Sequence, residues 1–122
     1  MRILVVKMTS MGDVVHTLPA VTDMARQFPG AQIDWLVEAP FAGIARLHPA
    51  VARVIPVALR KWRKRWWAAD TRAAVAAAKQ LLAAQPYDLI IDFQGLLKSA
   101  WWARKAIGPV AGYDRASIRE PL

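Results

Sequence analysis

Short apolar runs alternate with stretches of helical periodicity along this chain, and this alternation most strongly limits its possible folds. Residues 3–6 form a wholly apolar run, and residues 32–38 and 88–93 contain similar runs. Such runs are typical of strands that are buried on both faces of a parallel sheet. In residues 14–28 the apolar positions recur at three- and four-residue steps, as in an amphipathic helix. We therefore predict an α/β fold, a right-handed, Rossmann-like parallel sheet flanked by helices.

The other segments complete this pattern. In chain order they predict a short helix, a weak strand, a long helix, a further helix and a fifth strand, at residues 40–47, 53–57, 60–84, 96–107 and 110–113. The weak strand should lie at the edge of the sheet, because Pro56 cannot donate to a ladder. The segment 60–84 is rich in Ala, Lys and Arg and contains no Pro or Gly, so we expect it to be helical for most of its length. Pro19 lies inside the first helical pattern, so that helix should begin near it or bend there.

Size and composition narrow the class of protein. With 122 residues, of which 56% are apolar and 21% charged, the chain is long enough for one domain with a packed core. It contains no cysteine, which excludes a disulfide framework, a thiolate metal site and a thiol nucleophile. Two histidines, distant in sequence, do not predict a metal site. Since no apolar run approaches the roughly 20 residues that span a bilayer, we expect a cytosolic protein.

The net charge of +8 favours anionic partners, whether nucleic acid, phospholipid head groups, or a phosphorylated or carboxylated substrate. Its densest part is the segment 60–65, in which five cations surround a tryptophan. In a continuous helix, three of these cations would share one face with Trp67: Arg60, Arg63 and Lys64. Trp62 and Trp66 would form a separate apolar stripe. Arginine binds carboxylates and phosphates through paired hydrogen bonds, so this face is a candidate anion site.

Three alternatives to a substrate site remain open for this basic segment. Charge runs are often no more than the solvated face of a helix. Nucleic acid would use the same cations, with the tryptophans stacked on bases. A helix lying on a membrane would place the cations against anionic lipid and the tryptophans at the head-group level.

Asp13 follows the first predicted strand, at the end of a loop that begins at Lys7. Parallel sheets present catalytic groups at the carboxyl ends of their strands, and Thr9, Ser10 and Gly12 add hydroxyls and a flexible backbone. Asp13 is therefore a candidate general base, with a helix N-cap as the structural alternative. The loop lacks both the dinucleotide fingerprint and the P-loop, which disfavours nicotinamide and nucleoside triphosphate sites. Free N–H groups at the following helix can still hold an anionic or hydroxylated ligand.

Polar residues also follow the fourth predicted strand. Asp92 and Gln94 lie where a parallel sheet presents polar groups to a ligand, and Lys98, in the next helical turn, can reach an anion. A strand-end cap for Asp92 and a turn position for Gln94 are the structural alternatives. His16, three residues after Asp13, either faces the same cleft or is a packed, hydrogen-bonded histidine, and we favour packing.

Five segments carry a family resemblance, namely residues 7–20, 34–38, 54–64, 92–99 and 117–122. They resemble the bacterial lipopolysaccharide heptosyltransferases, in the same order and over essentially the whole chain. The resemblance is strongest to the heptosyltransferases I, which add the first heptose to the Kdo-lipid A inner core. It implies the N-terminal, acceptor-binding half of a two-domain GT-B glycosyltransferase. We expect residues 1–122 to form one Rossmann-like domain, with the C-terminal, donor-binding domain absent from this chain.

The resemblance implies inverting, metal-independent transfer of L-glycero-D-manno-heptose from ADP-heptose to the Kdo of Kdo2-lipid A, with no cofactor. Asp13 matches the base that deprotonates the acceptor hydroxyl. The acceptor-binding positions implied around it, together with Gln94 and Lys98 from the reading above, are Thr9, Ser10, Met11, Gly12, Arg60, Arg63, Lys64 and Arg119.

The resemblance also implies peripheral contact with the cytoplasmic face of the inner membrane and no nucleic-acid partner. Because a GT-B site forms when two halves close, we expect the isolated chain to bind acceptor without turnover. Two alternatives stay open: a non-catalytic, basic Rossmann-like module that binds nucleic acid or anionic lipid, and a heptosyltransferase II.

Overall fold

The computed structural model describes residues 1–94 and 102–112, which contain a five-stranded parallel sheet of order β3-β2-β1-β4-β5. The strands are β1 Arg2–Val6, β2 Gln32–Glu38, β3 Val51–Val57, β4 Leu89–Asp92 and β5 Val110–Gly112. The helices are α1 Met11–Gln27, α2 Ala42–Arg46, α3 Leu59–Lys64 and α4 Ala69–Ala83, with a 3₁₀ turn at Ala39–Phe41. Residues 102 and 103 are also helical. The predicted Rossmann-like sheet flanked by helices is confirmed, and its order reverses between β1 and β4, where such folds bind ligands.

β1 is the centre of the core. Ile3, Leu4, Val5 and Val6 are all fully buried, as predicted from their continuous apolar run. Because side chains alternate along a strand, Leu4 and Val6 pack into one cluster with Trp102, while Ile3 and Val5 pack into the cluster on the other face. Each of these branched side chains contributes roughly 1.5–3 kcal/mol by its burial.

α1 begins earlier than its apolar periodicity predicts. Its first residue is Met11 and its N-cap is Ser10, so the helix neither begins at residue 14 nor starts near Pro19. The backbone N–H of Val14 donates to the Ser10 carbonyl at 2.8 Å, and the Ser10 N–H donates to Asp13 Oδ2 at 3.2 Å. These hydrogen bonds stabilise an additional polar turn that has no apolar signature. Asp13 therefore lies within the first turn of the helix.

The segment 60–84 is helical for most of its length, as predicted, but it forms two helices that are separated at residues 65–68. There the chain turns, with the Ala68 N–H donating to the Arg65 carbonyl at 3.0 Å. Trp62 in α3 packs against Trp102 with ring centroids 5.9 Å apart, and α4 contributes Ala78 and Leu82 to the same core cluster. Neither Pro nor Gly marks the break, so helix propensity did not reveal it.

The predicted edge position of β3 is confirmed. β3 is an edge strand, and Pro56 lies opposite Val37 of its single neighbour in the sheet, β2. β5 forms the other edge at Val110–Gly112, while the predicted helix at 96–107 is helical at residues 102 and 103 and has ended by residue 104. Residues 95–101 and 113 onward lie outside the described part. In the described ranges, no helix combines the length and apolarity needed to cross a membrane.

A buried charge cluster surrounds Asp34, near the amino end of β2. Asp34 is fully buried, and its Oδ2 accepts hydrogen bonds from Tyr87 Oη at 2.5 Å and from Arg53 Nη2 at 3.0 Å. The Arg2 guanidinium lies 4.8 Å from the Tyr87 ring centroid and pairs with Asp34 at 3.5 Å. Burial, reinforced by the hydrogen bond to Asp34, raises the pKa of Tyr87 to about 12. This cluster lies at the end of the sheet opposite to the strand carboxyl ends.

Candidate functional site

The carboxyl ends of β1, β2 and β3 open onto a cavity of about 430 Å³. It is lined by side chains from three consecutive strand-end loops: Thr9, Ser10, Glu38, Pro40, Phe41, Leu59, Arg60 and Arg63. In a parallel sheet these loops lie on one edge, so residues distant in sequence converge there. The volume is within the range of about 300–1,000 Å³ that is typical of small-molecule sites. The cavity brings the predicted hydroxyl loop and the predicted basic helix together.

The loop between β1 and α1 is held by β2 on one side. The Lys7 N–H donates to the Leu36 carbonyl at 3.2 Å, and the Glu38 N–H donates to the Met8 carbonyl at 3.1 Å. The indole of Trp35 donates to the Lys7 carbonyl at 3.0 Å. The β1–β2 ladder thus continues past β1, and this extension fixes where Thr9 and Ser10 enter the cavity.

Gln94, from the end of β4, holds the same loop on the other side. Its Oε1 accepts from the backbone N–H groups of Met8 at 3.0 Å and Thr9 at 3.3 Å, and its Nε2 donates to Thr9 Oγ1 at 3.2 Å. Its own N–H donates to Oδ1 of the buried Asp92 at 2.9 Å. The structure therefore gives Gln94 a positioning role. Its predicted contact with an acceptor stays a prediction.

Asp13 lies in the first turn of α1 and is exposed to solvent. Ser10 rather than Asp13 is the N-cap, and Asp13 occupies the third helical position of a capping box. Its Oδ2 accepts from the Ser10 N–H, so the carboxylate is tied to a residue that lines the cavity. Asp13 does not itself line the cavity, and its link to the cavity is this hydrogen bond to Ser10. Asp13 therefore supports the helix start, and its role as a base stays a prediction.

Met11 and Gly12 form the exposed start of α1, outside the lining of the cavity. The interpretation that Gly12 lets the backbone turn is wrong. Its φ is not positive, it lies within the helix, and an added Cβ would meet nothing within 4 Å. Because Gly12 has no side chain, it leaves open space near the N-terminal N–H groups of the helix.

The basic helix α3 is attached to the site by a residue that we did not predict. Glu38 accepts a hydrogen bond from the backbone N–H of Leu59 at 3.2 Å, which anchors the start of α3 beside the cavity. Arg60 and Arg63 line the cavity, whereas Lys64 is exposed without lining it. Glu38 ends a predicted strand, so the rule that strand carboxyl ends share one edge would have identified it.

The tryptophans around α3 differ from the predicted stripe. Trp67 lies beyond the end of the helix, so it does not share a helical face with the cations. Trp66 also lies beyond the helix and is 71% exposed, in edge-to-face contact with Trp67. Trp62 alone of this group packs toward the core, against Trp102.

The two histidines have different environments. His16 is exposed, so the packed interpretation of this residue is wrong. His48 is the half-buried one, with Nε2 2.8 Å from Thr22 Oγ1 and Nδ1 accepting from the Ala50 N–H at 3.0 Å. Across residues 1–94 and 102–112, no three His, Cys, Asp or Glu side chains are grouped to hold a metal ion. Lys98 and Arg119 lie outside the described residues.

The fold and the cavity define a Rossmann-like α/β unit with a cationic, ligand-sized site at its carboxyl edge. The family described as glycosyltransferase family 9 (heptosyltransferase) matches residues 75–121. Lipopolysaccharide heptosyltransferase 1 of Pseudomonas aeruginosa is 59% identical over all of this chain, and that of Escherichia coli K12 is 52% identical. The chain spans 35% and 39% of the length of these two curated relatives.

Solved structures agree with the sequence comparison. The E. coli heptosyltransferase WaaC with ADP-2-deoxy-2-fluoro heptose superposes on this chain with a TM-score of 0.90, covering 100% of this chain and 39% of its own. The E. coli ADP-heptose lipopolysaccharide heptosyltransferase II, 21% identical, has the same fold at a TM-score of 0.71, covering 98% of this chain and 33% of its own. Sequence and fold together confirm the resemblance of this chain to the heptosyltransferases of glycosyltransferase family 9.

Proposed function

We propose that this chain is the acceptor-binding part of a GT-B heptosyltransferase that transfers heptose from ADP-heptose to the Kdo of Kdo2-lipid A. The observation that most supports this proposal is the cavity that combines the hydroxyls of Thr9 and Ser10 with the guanidinium groups of Arg60 and Arg63. Kdo carries a carboxylate and lipid A carries phosphates. Arginine recognises both groups through paired, charge-assisted hydrogen bonds.

In the proposed reaction, Asp13 removes the proton from a Kdo hydroxyl as that oxygen attacks the anomeric carbon of the heptose. The bond from this carbon to the ADP oxygen breaks, ADP leaves with the electron pair, and the configuration inverts. Asp13 retains the proton until solvent removes it, which its exposure permits. The hydrogen bond from Ser10 orients the carboxylate for this step. The donor would be bound mainly by a second half that is not among these residues, so turnover would require both halves.

Two alternatives are less favoured. The 59% and 52% identity to the heptosyltransferases 1 of P. aeruginosa and E. coli K12 favours the first heptose transfer over the second. A nucleic-acid or lipid-binding module would use the same cations without requiring Ser10 and Asp13 beside them.

Exposed Trp66 and Trp67, next to a cationic helix, support peripheral contact with the cytoplasmic face of the inner membrane.

A chimaera tests the catalytic proposal. Residues 1–122 of this chain would replace the matching residues of E. coli heptosyltransferase 1, and ADP release would be measured with ADP-heptose and Kdo2-lipid A. General-base catalysis is worth about 10²–10⁴-fold, so Asp13→Asn should lower kcat at least a hundredfold. The matched control is Asp23→Asn, which removes an exposed carboxylate from the same helix and should change kcat less than twofold.

Two results would contradict the proposal. If Asp13→Asn keeps kcat within threefold while unfolding becomes easier by about 1 kcal/mol, Asp13 only stabilises the helix start. If calorimetry detects no binding of deacylated Kdo2-lipid A, but the chain binds duplex DNA with a steep salt dependence, the nucleic-acid alternative is correct.

A further inference from the structure

A second cavity, of about 700 Å³, adjoins the first along α3. Leu59 and Arg63 line both cavities, so α3 forms a shared wall. The second cavity differs in chemistry, because the indoles of Trp62, Trp66 and Trp102 provide much of its lining. Its volume is also within the range of small-molecule sites. A polar cavity and an aromatic one therefore lie side by side along a single helix.

Cations surround this aromatic groove. Arg63, Arg72 and Lys79 are among its lining residues, and Arg63 and Arg72 are exposed. Trp66 remains 71% exposed, which is a large apolar surface beside solvent. An apolar floor with cationic neighbours complements a ligand that carries an apolar chain on an anionic head.

We propose that this groove binds an acyl chain of the acceptor glycolipid while the adjoining cavity binds its anionic sugar. The inference rests on the proposed function and adds a second subsite to it. Leu59 and Arg63 would be the contact between the two parts of the ligand. Lipid binding by this chain would then depend on chain length as well as on charge.

The test uses the 122-residue chain and two pairs of measurements. Calorimetry would compare dodecyl phosphate with octyl phosphate, both below their critical micelle concentrations, and would separately measure deacylated Kdo2-lipid A. Ala76 lines the groove and is exposed on α4, so Ala76→Phe fills the groove from its surface. Ala77→Phe is the matched control, at an exposed neighbour on the same helix that does not line the groove. Circular dichroism would verify that both variants fold.

Each buried methylene strengthens binding about fourfold, so dodecyl phosphate should bind the unmodified chain at least tenfold more tightly than octyl phosphate. Ala76→Phe should abolish this difference, and Ala77→Phe should retain it. Binding of deacylated Kdo2-lipid A should be the same in all three proteins. If none of the three proteins binds deacylated Kdo2-lipid A while the difference between the alkyl phosphates persists, the proposed function is refuted and the acyl site is not.

Three outcomes would overturn the acyl site. The first is the absence of a specific dependence on chain length. It would appear as equal affinity of the unmodified chain for the two alkyl phosphates, or as equal effects of the two phenylalanine variants on these affinities. The second is loss of binding to phosphatidylglycerol vesicles in Ala76→Phe alone, which would assign the groove to the bilayer surface. The third is a concentration-dependent dimer in sedimentation equilibrium that Ala76→Phe disrupts, which would assign the groove to a second copy of the chain.

Discussion

Replacing Gln94 by alanine should damage both the stability and the activity of this protein, because one amide group joins two strand-end loops. The side chain makes three hydrogen bonds to Met8 and Thr9, at 3.0, 3.3 and 3.2 Å. A hydrogen bond contributes about 1 kcal/mol net, and the site is part-buried, so water replaces some of the loss. We expect Gln94→Ala to lower the free energy of unfolding by about 1–3 kcal/mol.

The expected effect on activity follows from the position of the loop. The loop leads to Ser10, which lines the cavity and holds Asp13 by its N–H. A displacement of about 1 Å in catalytic geometry can cost roughly a hundredfold in rate. In the chimaera, Gln94→Ala should therefore lower kcat by about tenfold to a hundredfold. Donor KM should change little, because the donor is proposed to bind mainly to the other half.

Two variants make this prediction specific. Gln94→Glu keeps an oxygen that accepts from the Met8 and Thr9 N–H groups but loses the donor to Thr9 Oγ1, so it should fall between wild type and alanine. Gln80→Ala removes an exposed glutamine from α4 and serves as the control. Urea unfolding and steady-state kinetics would be measured on the same preparations. The reasoning fails if Gln94→Ala matches Gln80→Ala in both measurements, or if stability falls while kcat is unchanged.

Two further predictions concern the basic helix and the buried cluster. Arg60→Ala should weaken binding of deacylated Kdo2-lipid A about tenfold in low salt. Lys64→Ala, which removes a cation outside the cavity, should weaken the same binding less than threefold. Equal effects of the two variants would show that the helix acts through net charge alone. Tyr87, with a folded-state pKa of about 12 against about 10 when unfolded, stabilises the fold below pH 10, and this contribution disappears as pH rises toward 12. Urea unfolding should show the unmodified chain losing about 2–3 kcal/mol more than Tyr87→Phe across that interval, and parallel curves would disprove the assignment.

Local pattern was sufficient for much of this fold. β2 was predicted with its observed bounds, and β1 and β4 within one residue at each end, because continuous apolar runs have few uses other than a strand buried on both faces. Pro56 placed β3 at an edge by removing a ladder donor. Asp13, Arg60 and Arg63 were recognised as site candidates from strand ends and helix spacing alone. Each of these inferences depends on residues that are close in sequence.

Tertiary structure decided those features of the fold and the site that depend on residues distant in sequence. The break between α3 and α4 follows a helix whose Trp62 packs against a tryptophan 40 residues later, and neither Pro nor Gly marks it. Gln94 became a support for the loop because β4 pairs beside β1, and its partners are 85 and 86 residues away in the chain. Glu38 became an anchor for α3 through a backbone N–H that only folding brings within reach. The sequence alone thus determined which side chains were available for chemistry, because residue type and periodicity are local. Their roles depended on the strand order, since only the order β3-β2-β1-β4-β5 brings their partners together.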